Sequence, residues 1–211
     1  MAKTTTAAAT AVMIPPLDKR IISISLVGDS DLISHAWSEK AKKQMRDDQM
    51  GKAKRGKQPK NPDQDYRESL YWLDKDGMRI NVQDVDPNKH KMFGFPSIGF
   101  KAAAVRAAKN VGLAMTDTRT AFHVIHEFVP IKAQRIVMRE DMVVLNGKTA
   151  DIRYRAAFVN WTASVPVQYN AGFMSAEQIV NLFNIAGFGV GVGEWRPEKD
   201  GAFGMFHVEI G

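Results

Sequence analysis

The sequence predicts an α+β fold, an antiparallel sheet with helices packed on one face. Three observations carry this. Apolar, β-branched runs recur along the chain, and two of their connections, Asp76-Gly77 and Asn146-Gly147, are turn pairs of the kind that close hairpins. Helical spacing interleaves with these runs, in an Ala-rich stretch at 98–110 and in a capped stretch that opens at Ser175. The 211 residues, 45% hydrophobic and 25% charged, fit one folded domain with enough chain to bury a core.

Taken in order, residues 1–18 are Thr/Ala-rich and close on Pro15 and Pro16, which predicts a flexible tail. A single domain is expected over 19–211. Ile21, Ile22, Ile24, Leu26 and Val27 form a buried first strand, punctuated by Gly28, Asp29 and Ser30. Ser30 or Asp31 then caps a helix through Leu32, Ile33, Ala36, Trp37 and Ala41 toward Met45. A long basic insertion loop with Pro59 and Pro62 follows, at about 46–66. A small hairpin is expected over 69–73 and 78–82, and the Ala-rich helix ends at Gly112. Stretches 121–131, 135–145 and 150–169 read as strands. Ser175 and Gln178 form a capping box for a helix carrying Ile179, Leu182 and Phe183, ended by Gly187. Two last strands are expected at 188–195 and 202–210.

The net charge of +6 is unevenly placed. Lys40, Lys42, Lys43, Arg46, Lys52, Lys54, Arg55, Lys57 and Lys60 face only Asp47 and Asp48 in that stretch. A polyanion is expected to feel this segment first, because clustered cations displace counterions condensed on a phosphate backbone. Lys52, Lys54, Arg55, Lys57 and Lys60 are therefore candidate nucleic-acid contacts, and the same pattern also suits a solvated loop. The absence of cysteine excludes disulfides, thiolate metal sites and cysteine nucleophiles. No apolar run approaches the roughly eighteen residues of a membrane span, and the N-terminus lacks a signal pattern, so a cytoplasmic protein without membrane contact is expected.

Gly187, Gly189, Gly191 and Gly193 alternate with Phe188, Val190 and Val192, but they follow a helix and enter a strand, the reverse of a dinucleotide fingerprint. Gly147-Lys148-Thr149 suits a hairpin better than a phosphate loop. His123 and His126 fall on opposite faces of a strand, so no shared metal and no cofactor are expected. His35 has the chemistry of a general base for RNA cleavage, although a lone helix histidine is more often surface or core. In 150–169, Arg153 and Arg155 share a face with Ala157, Val159 and Trp161, while Tyr154 and Phe158 lie opposite. A long strand whose apolar side changes in this way contains a bulge or overhangs the core. Either face offers arginines or an aromatic platform to a single strand, or Tyr154 and Phe158 lie beneath a helix. Trp195 and Arg196, just before Pro197, pair a stacking plane with a guanidinium.

Two segments carry a resemblance: Phe95-Pro96-Ser97-Ile98-Gly99-Phe100-Lys101-Ala102-Ala103-Ala104-Val105-Arg106, and the final helix with its glycine alternation followed by Glu194-Trp195-Arg196-Pro197 and Gly201-Ala202-Phe203-Gly204-Met205-Phe206. They resemble the Pro-x-Ser-x-x-Lys-x-Ala-x-Arg-type helix start and the glycine-rich loop of the RAMP proteins that coat CRISPR RNA. The whole chain is also similar to a small protein of tailed bacteriophages with no known activity. The RAMP resemblance implies a ferredoxin-like, RNA-recognition-type core that binds single-stranded RNA in a basic groove and stacks into a homo-oligomer, with Lys101 and Arg106 near the nucleic-acid backbone. The glycine alternation departs from the family in lacking interleaved arginines.

The expected function is thus non-enzymatic binding of single-stranded RNA or DNA, in the host cytoplasm for a phage-borne protein. The alternatives are a phage structural or assembly protein making only protein contacts, and a metal-independent RNA endonuclease.

Overall fold

Apolar side chains at every second position set the first strand: Ile24 and Leu26 are buried, while Ile21 is exposed on the other face. The computed structural model describes residues 13–52, 59–86, 89–145 and 149–209. In chain order the elements are β1 (Lys19–Gly28), β2 (Leu32–Ser34), α1 (Glu39–Gln49), α2 (Pro62–Glu68), β3 (Tyr71–Leu73), β4 (Met92–Pro96), α3 (Ser97–Ala107), α4 (Met115–Ala121), β5 (Phe122–Val124), β6 (Phe128–Leu145), β7 (Thr149–Asn170), α5 (Ala176–Gly189) and β8 (Phe206–Val208). The fold is α+β. One antiparallel sheet runs β3-β4-β6-β7-β1-β8, and β2 and β5 also pair with β7.

β7 holds the sheet together, pairing with β6 from Thr149 to Ala163 and with β1 from Thr162 to Asn170. The expected change of side is real. Asn160 adopts a left-handed φ of 49°, and its amide donates to Gln134 at 2.6 Å. Beyond it Trp161, Ala163, Val165, Val167 and Tyr169 face the core; before it Ala156 and Phe158 do. A bulge adds one residue, so the alternation restarts on the opposite parity. Phe158 is fully buried and meets Phe93 edge-on, which takes it off any exposed platform. α3 and α5 close the core, with Phe100 against Trp161 and Phe206, and Phe183 against Phe122.

α5 starts as the sequence predicts. The Ser175 hydroxyl accepts from the Gln178 amide, and the Gln178 side chain accepts from the Ser175 amide. α3 also forms where expected, running on through a 3-10 turn to Gly112.

Several expectations are corrected. The helix expected from Leu32 toward Met45 is instead β2, paired with Ala156–Phe158 of β7, followed by α1, which Ser38 caps. Leu32, Ile33 and Ala36 are buried as strand and loop residues, whereas α1 buries none of its own. The apolar spacing suited either period, and pairing with β7 decided it. The loop expected at 46–66 contains the end of α1 and the start of α2, the latter capped by Asn61 with Pro62 in its first turn. The stretch 121–131 is broken by His126, at φ 69°, between β5 and β6. The strand expected at 188–195 does not form: α5 runs to Gly189 and an irregular loop follows. The hairpin at Asp76-Gly77 reduces to a tight turn, in which the Asp74 carboxylate accepts from the amides of Asp76 and Met78. The turn at Asn146-Gly147 and most of the expected tail lie outside the described residues. No described helix is long and apolar enough to cross a membrane.

Candidate functional site

Gly99, Ala102 and Arg106 recur at helical spacing on one side of α3 and form one wall of a cleft of about 230 Å³. The opposite wall is the loop after α5. Gly191, at φ 68°, returns its amide to the Ala186 carbonyl and ends the helix. Gly193, at φ 80°, passes so close to β2 that a Cβ would meet the Ile33 carbonyl and the Leu32 side chain. That approach lets the Glu194 amide donate to the Ile33 carbonyl at 3.1 Å. Ile33, His35, Tyr71 and Phe95 complete the lining.

Two arginines from opposite walls share one carboxylate. Arg106 Nε lies 2.8 Å from Glu198 Oε1, and Arg196 Nη2 lies 2.8 Å from Glu198 Oε2. Arg196 Nη1 also donates to the Gly193 carbonyl at 3.1 Å, which fixes its guanidinium against the loop. These two cations on one anion carry a net positive charge as a triad, which the Glu194 carboxylate in the same lining balances.

Beside them runs a second ionic chain. His35 Nδ1 lies 3.4 Å from Glu194 Oε1, and Arg155 lies 3.9 Å from Glu194 and 3.8 Å from Asp141. Arg153 approaches His35 Nε2 at 3.4 Å and Asp151 at 3.5 Å. Arg139 bonds Asp141 and stacks on Phe203 at 4.6 Å. The hydrogen bond from His35 pulls the Glu194 carboxyl below the usual glutamate value; burial opposes this, and Arg155 and Arg196 reinforce it. Burial pulls the Arg155 guanidinium down while Glu194 and Asp141 hold it up.

A carboxyl whose pKa is lowered on folding contributes stability that is full above the unfolded pKa and is lost as pH falls through the folded one. Glu194→Gln is accordingly expected to be less stable than the native chain at neutral pH, since Arg155 keeps only Asp141 as counter-charge. The two proteins are expected to converge as pH falls below the usual glutamate value and through the lowered one, which thermal melts across the acid range measure directly.

The sequence candidates separate into groups. Arg106 and Arg196 meet at the cleft. Trp195 is 41% exposed at φ 54° and sits between two lining residues without itself lining the cleft. Arg153 flanks His35, and Arg155, only 4% exposed, lies behind Glu194 and faces no solvent. Lys101 projects from another side of α3 toward His123. Lys52 pairs with Asp47 at 2.9 Å, and Lys60 with Asp151 at 2.6 Å and with the Ile152 carbonyl. Lys54, Arg55 and Lys57 lie outside the described residues. Tyr71, Glu194 and Glu198 do not stand out in the sequence as site residues: Tyr71 reaches the cleft from a distant strand, and the two glutamates flank Arg196 in sequence without forming a motif. Among the described residues, no three His, Asp or Glu side chains gather as a metal site.

The chain matches no protein-family model and no curated protein.

Proposed function

We propose that this protein is a RAMP-like, non-enzymatic binder of single-stranded nucleic acid, with the strand's backbone lying in the cleft between α3 and the glycine loop. One observation carries the reading. The two segments that resemble RAMP proteins are some ninety residues apart in sequence, yet they form opposite walls of one cleft and meet through Arg106, Glu198 and Arg196. The strand order β6-β7-β1-β8, with α3 and α5 in the two crossovers, supports a ferredoxin-like core of the β-α-β-β-α-β kind. Guanidiniums supply charge-assisted bonds to phosphate, and exposed Trp195 supplies a plane for a base. Lys52, Lys54, Arg55, Lys57 and Lys60 add attraction at longer range, and a homo-oligomer along the strand accords with the resemblance.

The test is titration of single-stranded RNA and DNA at several salt concentrations, read by Trp195 fluorescence against a Trp195→Phe control. Saturable quenching is expected, and Trp195→Ala is expected to weaken binding about tenfold or more. Replacing Lys52, Lys54, Arg55 and Lys57 by Gln is expected to reduce the slope of log affinity against log salt by up to about 3. Absence of binding to either polymer would favour the assembly protein making only protein contacts. The Glu194-held imidazole of His35 favours a second reading, metal-independent RNA cleavage with His35 as base. A time course of RNA integrity under metal chelation tests it.

A further inference from the structure

β6 is longer than the strand beside it. β4 covers only Phe128–Ile131 on one side, while β7 follows β6 on the other as far as Leu145. Beyond Ile131 the outer edge of β6 meets no strand among the described residues. An open edge of this kind is a template for another strand, because its outward amides and carbonyls need partners. Exposed edges are commonly blunted by lysine or proline, and residues 133–145 contain neither.

The two faces of this part of β6 differ. Arg139 and Asp141 turn toward the ionic chain beside the cleft, where Arg139 stacks on Phe203. On the alternate positions Met138 is 48%, Met142 72% and Val144 61% exposed, and Ile152, opposite Met142 on β7, is 43% exposed. An apolar row thus borders the open edge.

The order of residues along that edge says what pairs with it. Residues 136–144 read Ile-Val-Met-Arg-Glu-Asp-Met-Val-Val, a run that is self-complementary about Glu140. When a second β6 runs antiparallel about a twofold axis at Glu140, Ile136 faces Val144, Val137 faces Val143, Met138 faces Met142 and Arg139 faces Asp141. Apolar meets apolar and cation meets anion everywhere but on the axis. Sliding the register by two residues, the smallest step that keeps the same face up, sets Arg139 or Asp141 against itself. A mirror order is what pairing with a second copy of the same strand requires; pairing with an unrelated strand requires none.

We infer that this protein forms a twofold dimer in which β6 of one copy pairs antiparallel with β6 of a second across Glu140, joining two sheets into one. The interface lies on the sheet edge and stands independently of nucleic-acid binding in the cleft. The two Glu140 carboxylates face each other on the axis, so Glu140→Gln is expected to tighten the dimer.

The chain has no cysteine, so single cysteines report on the interface without background. In the full-length protein Glu140→Cys is expected to form a disulfide-linked dimer under mild oxidant, since residues directly opposite in an antiparallel pair lie about 4.5–5.5 Å apart at Cα, within disulfide reach. Val144→Cys is the control. Its two copies lie roughly 27 Å apart along the paired strands, so it is expected to cross-link to added Ile136→Cys protein and not to itself. Sedimentation equilibrium then measures association directly. Met138→Lys with Met142→Lys sets like charges against each other and is expected to weaken association at least about tenfold, while Met138→Glu with Met142→Lys restores opposite charges and with them the dimer. Both positions are exposed, and thermal melts check that the variants keep the fold. A native chain that sediments as a monomer at every concentration, a Glu140→Cys protein that cross-links no faster than Val144→Cys, or an association indifferent to the two lysines overturns the interface. Failure of oligonucleotide binding in the cleft would overturn the proposed function and leave these results as they stand.

Discussion

Trp161→Ala is expected to lower the stability of the fold by about 3–5 kcal/mol, read as a shift of the urea midpoint without a change of slope. Trp161 is the largest fully buried side chain and follows directly on the Asn160 bulge. Its ring lies 6.5 Å from Phe100 on α3 and 6.1 Å from Phe206 on β8, so one side chain joins the sheet to its helical cover and to its edge strand. The indole Nε1 donates to the Ser30 carbonyl at 2.8 Å, which pins the turn between β1 and β2. Space for the ring is created by Gly28, where an added Cβ would meet the indole Cδ1 at 2.5 Å. Removal of the ring therefore leaves a cavity at a junction of three elements and an unpartnered carbonyl, and the rigid sheet cannot collapse to fill it. A loss below about 1 kcal/mol would mean that the core repacks freely there, and that the bulge does not depend on the indole.

The double variant Arg106→Gln, Arg196→Gln is expected to lose roughly a hundredfold in affinity for single-stranded nucleic acid at low salt, at about 1.5 kcal/mol for each charge-assisted contact. Both guanidiniums already bond Glu198, so a purely structural role competes with phosphate binding. Glu198→Gln separates the two. If the arginines bind phosphate, removing their shared carboxylate leaves affinity equal or tighter, because the cleft becomes more positive. If they only brace the loop, Glu198→Gln weakens binding as much as the double variant does. Unchanged affinity in the double variant, with the protein folded, would move the binding surface away from this cleft. Arg196 is the more constrained of the pair through its bond to the Gly193 carbonyl, and the single variant Arg196→Gln is expected to carry the larger share of the loss.

Local structure with a local cause was legible before any tertiary contact was known. The capping box at Ser175 and the Ala-rich α3 each depend on residues within a few positions and form as read, whereas the first strand forms but buries only Ile24 and Leu26, leaving Ile21 exposed on its other face. The change of apolar side in β7 was legible too, but it suited either a bulge or an overhang beyond the core, and the left-handed Asn160 decided for the bulge. Tertiary structure decided the rest. Leu32 and Ile33 fit a helix face or a strand equally well by spacing, and β7 claimed them as β2 because pairing there buries both side chains fully and satisfies their backbone. Gly187 read as the end of the helix and Phe188 and Gly189 as the start of a strand, yet all three joined α5, because packing of that helix on the core outweighs the weak helix propensity of glycine. The candidate site was half legible: Arg106, Glu194 and Arg196 stand in the two RAMP-resembling segments, but the pairing of Arg106 with Glu198 and of His35 with Glu194, and the Tyr71 wall, join elements whose approach no local pattern encodes. A cleft is made by long-range packing, and charges become a site only when the fold brings them within bonding distance.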